Sequence, residues 1–423
     1  MTRPRAAIVV TGSELVRGER TDLNGPFLAR ELLSLGLEPA RITIVGDRPD
    51  ELEAALREGL RADVCVVSGG LGPTHDDRTV ELLAAAAGVG LRVDAALEIE
   101  IETVSRGIAE RLRLPYADFS AGVRKQATLP DGAGSVGLAG TAPGIVLQAT
   151  SCVAVALPGP PGELRRLWPL ALATGPVRAV LAKAHPPGRR LLRFYGASES
   201  AVARALEEAG GDGDGVEATI CAREFEIHVD LVVEPGAEAR AEALAARLRA
   251  PLERYLFAES ELRVEEIVLG LCRAQGLTLA TAESCTGGLV AGRLTSVPGA
   301  SDVFRGSIVA YANDVKELEL GVPGDVLRAH GAVSAAAAAA MASGARARLR
   351  ADVGLAVTGV AGPAGGTPEK PVGLVYLHAE TPGESSGAEF SFPADRETIR
   401  VRAAVAALHL GRRLLAQSRH EGV

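Results

Sequence analysis

The sequence predicts an α/β protein with more than one domain, on three observations. Short apolar runs that read as buried strands alternate with helical stretches from the first residues onward. Several of these runs open directly into glycine-rich loops that lead into a helix, the arrangement that brings backbone close to a ligand. The chain has 423 residues, 47% of them hydrophobic, enough for two or three cores.

Composition excludes some functions. The formal net charge is −8, so no basic field is available to hold a nucleic-acid backbone, and no nucleic-acid partner is expected. The five cysteines, Cys65, Cys152, Cys221, Cys272 and Cys285, show no paired spacing, which argues against a disulfide framework or a zinc site. The amino terminus runs straight into a strand without the apolar core of a signal peptide. The alanine-rich stretch near 335 is too weakly hydrophobic to span a bilayer. The expectation is a cytoplasmic enzyme with no membrane partner. Only Lys125, Lys183, Lys316 and Lys370 among the 45 basic residues are lysines, so a lysine here can mark a place where arginine does not serve, although Lys183 stands in an unremarkable segment.

In chain order, a buried strand at 6–10 leads into Gly12, Ser13 and Glu14, and Asn24 is placed to cap a helix over 27–35. A strand over 40–45, a helix over 50–60 and a strand over 64–68 follow. That last strand opens into Gly69-Gly70-Leu71-Gly72-Pro73-Thr74-His75-Asp76-Asp77, and a helix covers 79–87. The alternation predicts a mainly parallel sheet covered on both faces, with ligands beyond the carboxyl ends of its strands. The loop glycines offer N–H groups to a phosphate. Asp76 and Asp77 either hold a hard divalent cation or cap the next helix, and the two roles are compatible.

The run from Gly69 to Asp77 resembles the motif of the MoaB/MogA-like molybdopterin-binding fold, in the form found in the amino-terminal domain of the competence/damage-inducible CinA family. Lys125-Gln126-Ala127, Gly140-Thr141-Ala142-Pro143-Gly144 and Leu157-Pro158-Gly159 extend the match. The resemblance implies a three-layer nucleotide-binding domain over 1–168, with Gly12, Glu14, Asn24, Gly69, Gly70, Gly72, Thr74, Lys125, Pro158 and Gly159 around the ligand. It also implies an ADP-ribose pyrophosphatase activity dependent on a divalent metal (Mg, Co or Mn) held by Asp76 and Asp77, with or without K.

A small α+β connecting domain is expected over 169–263, with a strand over 189–195, a helix over 199–209 begun by Ser198, a glycine-rich turn over 210–215 and an alternating strand over 225–233. His228 is read as a surface residue there, and the region is given no chemistry.

The remaining domain, 264–423, is organised around Thr281-Ala282-Glu283-Ser284-Cys285-Thr286-Gly287-Gly288, between an apolar strand and a new helix. A helix start there presents unpaired N–H groups and a positive dipole end to an anion or an oxyanion. A strand over 306–311 follows, then a helix expected to be capped by Asn313 and carrying Lys316 in its first turn. Ser334 caps a helix over 335–349. A strand beginning at 353 opens through Thr358-Gly359 into a glycine-rich loop. Arg396 and Arg400, four apart on the last helix, either clamp a phosphate or lie on a solvated, salt-bridged face. Serine needs a base, and the histidines of this domain form no triad pattern; a lysine with its pKa lowered by burial, aided by a tyrosine hydroxyl, can replace one, so Lys316 is either that base or a solvated first-turn residue.

This ordered set of motifs resembles the CinA carboxy-terminal domain, a nicotinamide mononucleotide (NMN) deamidase of pyridine-nucleotide salvage. The resemblance implies Ser284 as nucleophile, Lys316 as base and Tyr311 as relay, with Cys285 the rival nucleophile. Glu283, Cys285, Thr286, Gly287, Thr358, Gly359, Arg396 and Arg400 are then expected around the substrate, with no cofactor for this reaction. It also implies a homodimer. The reading from another class is a regulatory protein that binds nucleotides without turning them over.

Overall fold

The computed structural model describes residues 3–417. These form two compact units that divide after Gly188.

In the first unit the strands are β1 (Arg5–Thr11), β2 (Glu38–Val45), β3 (Val64–Ser68), β4 (Leu91–Val93), β5 (Thr128–Pro130), β6 (Gly134–Leu138), β7 (Pro143–Gln148) and β8 (Val153–Leu157). The main sheet has the order β2-β1-β3-β8-β7-β6. Its first four strands are parallel, and β7 and β6 complete it antiparallel. The parallel part follows from β3 and β8, which are buried at every position, as strands covered on both faces must be. Two separate apolar clusters cover the faces. One contains Leu52, Leu83 and Ile101, the other Leu28, Leu167 and Trp168.

Asn24 does not cap a helix. The helix is Asn24–Ser34, and its first N–H groups are met by the Asp22 carboxylate, which accepts from the amides of Asn24 and Gly25. The helix after the glycine loop is Thr79–Ala87, and neither Asp76 nor Asp77 caps it.

The second unit contains two sheets. The smaller, ordered β10-β11-β9-β12, is built from β9 (Gly188–Tyr195), β10 (Val216–Arg223), β11 (Glu226–Val233) and β12 (Leu256–Ala258). Ser198 caps the helix Glu199–Ala209 through its hydroxyl. The larger sheet is made of β13 (Leu279–Glu283), β14 (Phe304–Val309), β15 (Val353–Gly359), β16 (Leu374–Glu380) and β17 (Ser385–Ser391), in the order β14-β13-β15-β16-β17. The three central and edge strands β14, β13 and β15 are parallel; β16 and β17 fold back antiparallel.

The helix Arg396–Gln417 lies against this sheet with a continuous buried run from Ala403 to Gly411. On the other face packs Ala335–Leu349, capped by Ser334 as expected. Its Gly344 lets the chain at Leu320 come close: a Cβ there would lie 1.9 Å from the Leu320 carbonyl oxygen. The helix carrying Lys316 is Asn313–Leu320, and Asn313 provides no side-chain cap. Among the described residues no helix is long and apolar enough to cross a membrane.

Candidate active site

β13 is buried at all five positions and ends at Glu283, so the residues that follow emerge at the carboxyl edge of a parallel sheet. Ser284 starts that turn with its own N–H bonded to the Val357 carbonyl of β15. The turn then bends through Gly287 and Gly288, whose φ values of 59° and 98° suit glycine and strain other residues. The helix Leu289–Thr295 follows.

Glu283 changes the electrostatics expected of this helix start. Its carboxylate, fully buried, accepts from the amides of Gly288, Val290 and Ala291 at 2.9, 3.1 and 2.9 Å. The N–H groups expected to face an anion are thus already satisfied from inside the protein. Glu283 is a brace of the loop. Gly287 is committed too, donating its N–H to the Ser284 carbonyl at 3.1 Å.

β14 lies beside β13, with Glu283 in register with Val309, and this pairing carries the chain on to Tyr311 and the helix Asn313–Leu320. Lys316 points back from that helix into the interior, with 1% of its surface exposed. Its Nζ lies 3.1 Å from Ser284 Oγ, 2.7 Å from the Ala310 carbonyl oxygen and 3.4 Å from that of Tyr311. No carboxylate pairs with it among the described residues. Burial lowers its pKa from the usual lysine value, against a small opposing influence of Cys285. A neutral amine has two N–H bonds and one lone pair. The two carbonyls and the serine hydroxyl oxygen accept the three N–H bonds of an ammonium; in the neutral amine the lone pair would turn to the serine proton.

Cys285 is placed differently. Its side chain is buried in the apolar cluster with Val290 and Val357, and burial pushes the thiol up to about 11. Little thiolate forms at neutral pH. The amides of Cys285 and Thr286 take no oxygen partner among the described residues.

Arg396 and Arg400 do come to this loop. Arg400 donates to the carbonyls of Cys285 (Nε, 3.2 Å) and Thr286 (Nη2, 2.9 Å). Arg396 donates to the Gly362 carbonyl (Nη1, 2.5 Å) and the Tyr311 hydroxyl (Nη2, 2.9 Å). Both are tethers of main chain, which neither the clamp nor the solvated-face reading anticipates. The Tyr311 side chain is 61% exposed and turned to Arg396. It reaches Lys316 only through its carbonyl, so the hydroxyl does not stand between base and nucleophile. Thr358 is buried and donates its hydroxyl to the Ala332 carbonyl at 2.7 Å, with Gly359 next to it at the end of β15.

In the first unit the strand ends surround a cleft of about 690 Å³. Of the residues expected there, Gly12, Glu14, Asn24, Gly69, Gly70, Gly72, Asp76, Asp77, Pro158 and Gly159 line it. Thr74 and Lys125 do not. Lys125 instead donates to the Thr74 carbonyl and lines a smaller adjoining cavity. The glycine loop is held from beneath: Thr79 Oγ1 donates to the Gly69 carbonyl at 2.8 Å, and a Cβ at Gly70 would lie 2.2 Å from that hydroxyl. Asn24 Nδ2 spans from Ser68 Oγ (2.9 Å) to the Gly159 carbonyl (2.7 Å) and joins two strand ends. Asp47, missed in the sequence, accepts from the Thr11 hydroxyl and from the amide and hydroxyl of Ser13. Its position just past a predicted strand end was the available signal.

The single proton of the Thr74 hydroxyl is shared between the Asp76 and Asp77 carboxylates. The bond to Asp76 is the first cause holding that carboxyl below its ordinary range. The two carboxylates fit a hard cation that takes its remaining ligands from substrate oxygens and water. Among the described residues no cluster of three His, Cys, Asp or Glu groups could enclose a metal without such help.

Comparison with known proteins bears on both units. Residues 261–415 match the model of the CinA C-terminal domain, and residues 7–175 match that of a probable molybdopterin binding domain. A CinA-like protein of Mycolicibacterium gilvum is 43% identical over 421 residues, covering 97% of this chain and 99% of the relative. The chain belongs to the CinA family. A CinA-like protein of Mycobacterium tuberculosis is 42% identical, with 97% of each chain covered. Among solved structures, the competence/damage inducible protein CihA from Agrobacterium tumefaciens is 40% identical, covers 38% of this chain and 99% of its own, and has a TM-score of 0.35. As a CinA protein the chain carries a MoaB/MogA-like amino-terminal domain and a CinA carboxy-terminal domain.

Proposed function

We propose that the protein hydrolyses the carboxamide of nicotinamide mononucleotide to nicotinate mononucleotide and ammonia. The observation that carries this reading is the 3.1 Å contact between Ser284 Oγ and a buried, carboxylate-free Lys316 Nζ. Serine attacks an amide only when a base accepts its proton, and an amine whose pKa is lowered by burial is such a base once deprotonated. The Ser284 proton passes to Lys316 as Oγ bonds to the carboxamide carbon. The C–N bond then breaks, the lysine proton leaves with ammonia, and a nicotinoyl ester remains on Ser284. Water, deprotonated by the same amine, cleaves the ester and restores the serine hydroxyl. The amides of Cys285 and Thr286, which meet the Cys285 sulfur but no oxygen among the described residues, would be the donors for the oxyanion.

In the same reading the amino-terminal cleft is a nucleotide site with metal-dependent ADP-ribose pyrophosphatase activity. Asp76 and Asp77 would hold the divalent cation, whose charge would offset that of the pyrophosphate.

Ammonia release from NMN tests the main proposal. Ser284→Ala should abolish it, and Cys285→Ala should keep it within severalfold. Loss only in Cys285→Ala would transfer the nucleophile to the thiol. No release from the unaltered protein would favour binding without turnover.

A further inference from the structure

β10 and β11 pair Arg223 with Glu226, so Glu224 and Phe225 alone form the turn between them. Both have positive φ, 49° and 75°, as a two-residue turn matched to strand twist requires. Asparagine and glycine adopt this conformation cheaply, whereas glutamate and phenylalanine do not. Something other than the turn itself must account for these two side chains.

Each reaches an element that holds the nucleophile loop. Glu224 Oε2 lies 2.6 Å from Arg293 Nη1. Arg293 sits on the helix Leu289–Thr295, directly after Gly288, and its other nitrogen lies 3.3 Å from the buried Glu265. The Phe225 ring meets Phe392 edge-on at 5.5 Å, and the Arg402 guanidinium lies 5.3 Å from its centroid. Phe392 and Arg402 flank the start of the helix whose Arg400 holds the carbonyls of Cys285 and Thr286.

We propose that the Glu224-Phe225 turn is a positioning element for Ser284, setting the two helix starts between which the nucleophile loop is stretched. Its effect on turnover rests on the deamidase reading above; its effect on the loop does not. The segment between the two domains of the family match is thereby part of the machinery, acting without touching substrate.

The double variant Glu224→Asn, Phe225→Gly tests this. It supplies the residues that this turn favours, so the hairpin keeps its form while both contacts vanish. The expected result is a kcat for ammonia release lowered roughly tenfold to a hundredfold, with a smaller change in KM, measured well below Tm. Amide hydrogen exchange should accelerate in the peptide covering 283–292. Phe225→Tyr, which keeps an aromatic edge for Phe392, should restore kcat when compared with Phe225→Gly. Unchanged kcat together with unchanged exchange in the double variant would overturn the proposal while leaving the deamidase reading intact. If the unaltered protein releases no ammonia, the deamidase reading fails, and the exchange comparison alone decides whether the turn positions the loop.

Discussion

Lys316 Nζ stands 3.1 Å from Ser284 Oγ, and its other polar neighbours are main-chain carbonyls. Only the neutral amine can take the serine proton, and burial lowers the pH at which the neutral form appears. The rate constant kcat/KM for ammonia release should therefore rise with pH along a single acid limb, with an apparent pKa below the ordinary lysine value of 10.5. Lys316→Arg keeps a cation that cannot deprotonate and should lose about 10²–10⁴-fold in rate. A profile whose acid limb survives in Lys316→Met would remove lysine from the role of base.

The same burial predicts a stability effect. With a folded pKa below the unfolded one, the unfolded chain binds more protons across the interval between them, so stability rises with pH there. Below the folded pKa the charged amine carries its full burial penalty, and above 10.5 none remains. Urea unfolding from pH 7 to 10 should show the unaltered protein gaining stability relative to Lys316→Met as pH rises.

Glu283 lies one residue before the nucleophile and meets three amides with two oxygens. Replacing either oxygen by an NH₂ group sets donor against donor in a buried place. Glu283→Gln should cost about 2–3 kcal/mol and lower Tm by several degrees. Activity should fall even in the folded fraction, because the loop loses its brace. A variant with unaltered Tm would show that the helix start does not depend on the charge.

Much of this was legible because strand-to-helix turns have local signatures. Thr281 to Gly288 announced a loop at a strand end, and the rarity of lysine singled out Lys316 before any geometry was known. What escaped was the direction of side chains. Glu283 was read as facing substrate, whereas the turn at Gly287 and Gly288 bends the helix start over it. Arg400 was read by its spacing from Arg396, and spacing cannot reveal that carbonyls 115 and 114 residues away in sequence lie within its reach. Asn24 looked like a cap because its neighbours suit one, while its amide is used to join Ser68 to Gly159 across the sheet. β16 and β17 return antiparallel beside β15, an order left open for this domain, since no local pattern distinguishes a hairpin return from a crossover.

Asp76 and Asp77 lie in a different compact unit from Ser284, which makes the two proposed activities separable. Asp77→Asn retains an oxygen able to accept from Thr74 and should fold normally, but it removes a charge from the cation site. Release of AMP from ADP-ribose in the presence of magnesium or manganese should fall by roughly 10²-fold or more, with ammonia release from NMN unchanged. A chelator should reproduce the same split. Loss of both activities in Asp77→Asn would mean that the two units do not work independently.

His409 and Glu226 form a buried pair in the second unit, with His409 Nε2 2.7 Å from Glu226 Oε1 and the ring stacked on Tyr195 at 3.7 Å. Burial drives the imidazole down to about 4, even though the carboxylate opposes the shift. Burial also pushes the Glu226 carboxyl up, but hydrogen bonds from His228 and His409 outweigh it and hold the group at about 2. At neutral pH the pair is therefore a neutral imidazole donating to a carboxylate. Between 6.5 and about 4 the unfolded histidine takes a proton that the folded one refuses, and stability falls as pH falls. Between 4.5 and about 2 the carboxylate adds a loss of the same sign. His409→Gln preserves an N–H donor for Glu226 and cannot titrate. Its stability should therefore decline less between pH 7 and 4.5 than that of the unaltered protein, by about 2–3 kcal/mol. Parallel declines in the two proteins would mean that folding leaves the imidazole unshifted, and a smaller decline in the unaltered protein would show that His409 is already protonated in the fold. The ion pair with Glu226 would then outweigh the desolvation of the ring.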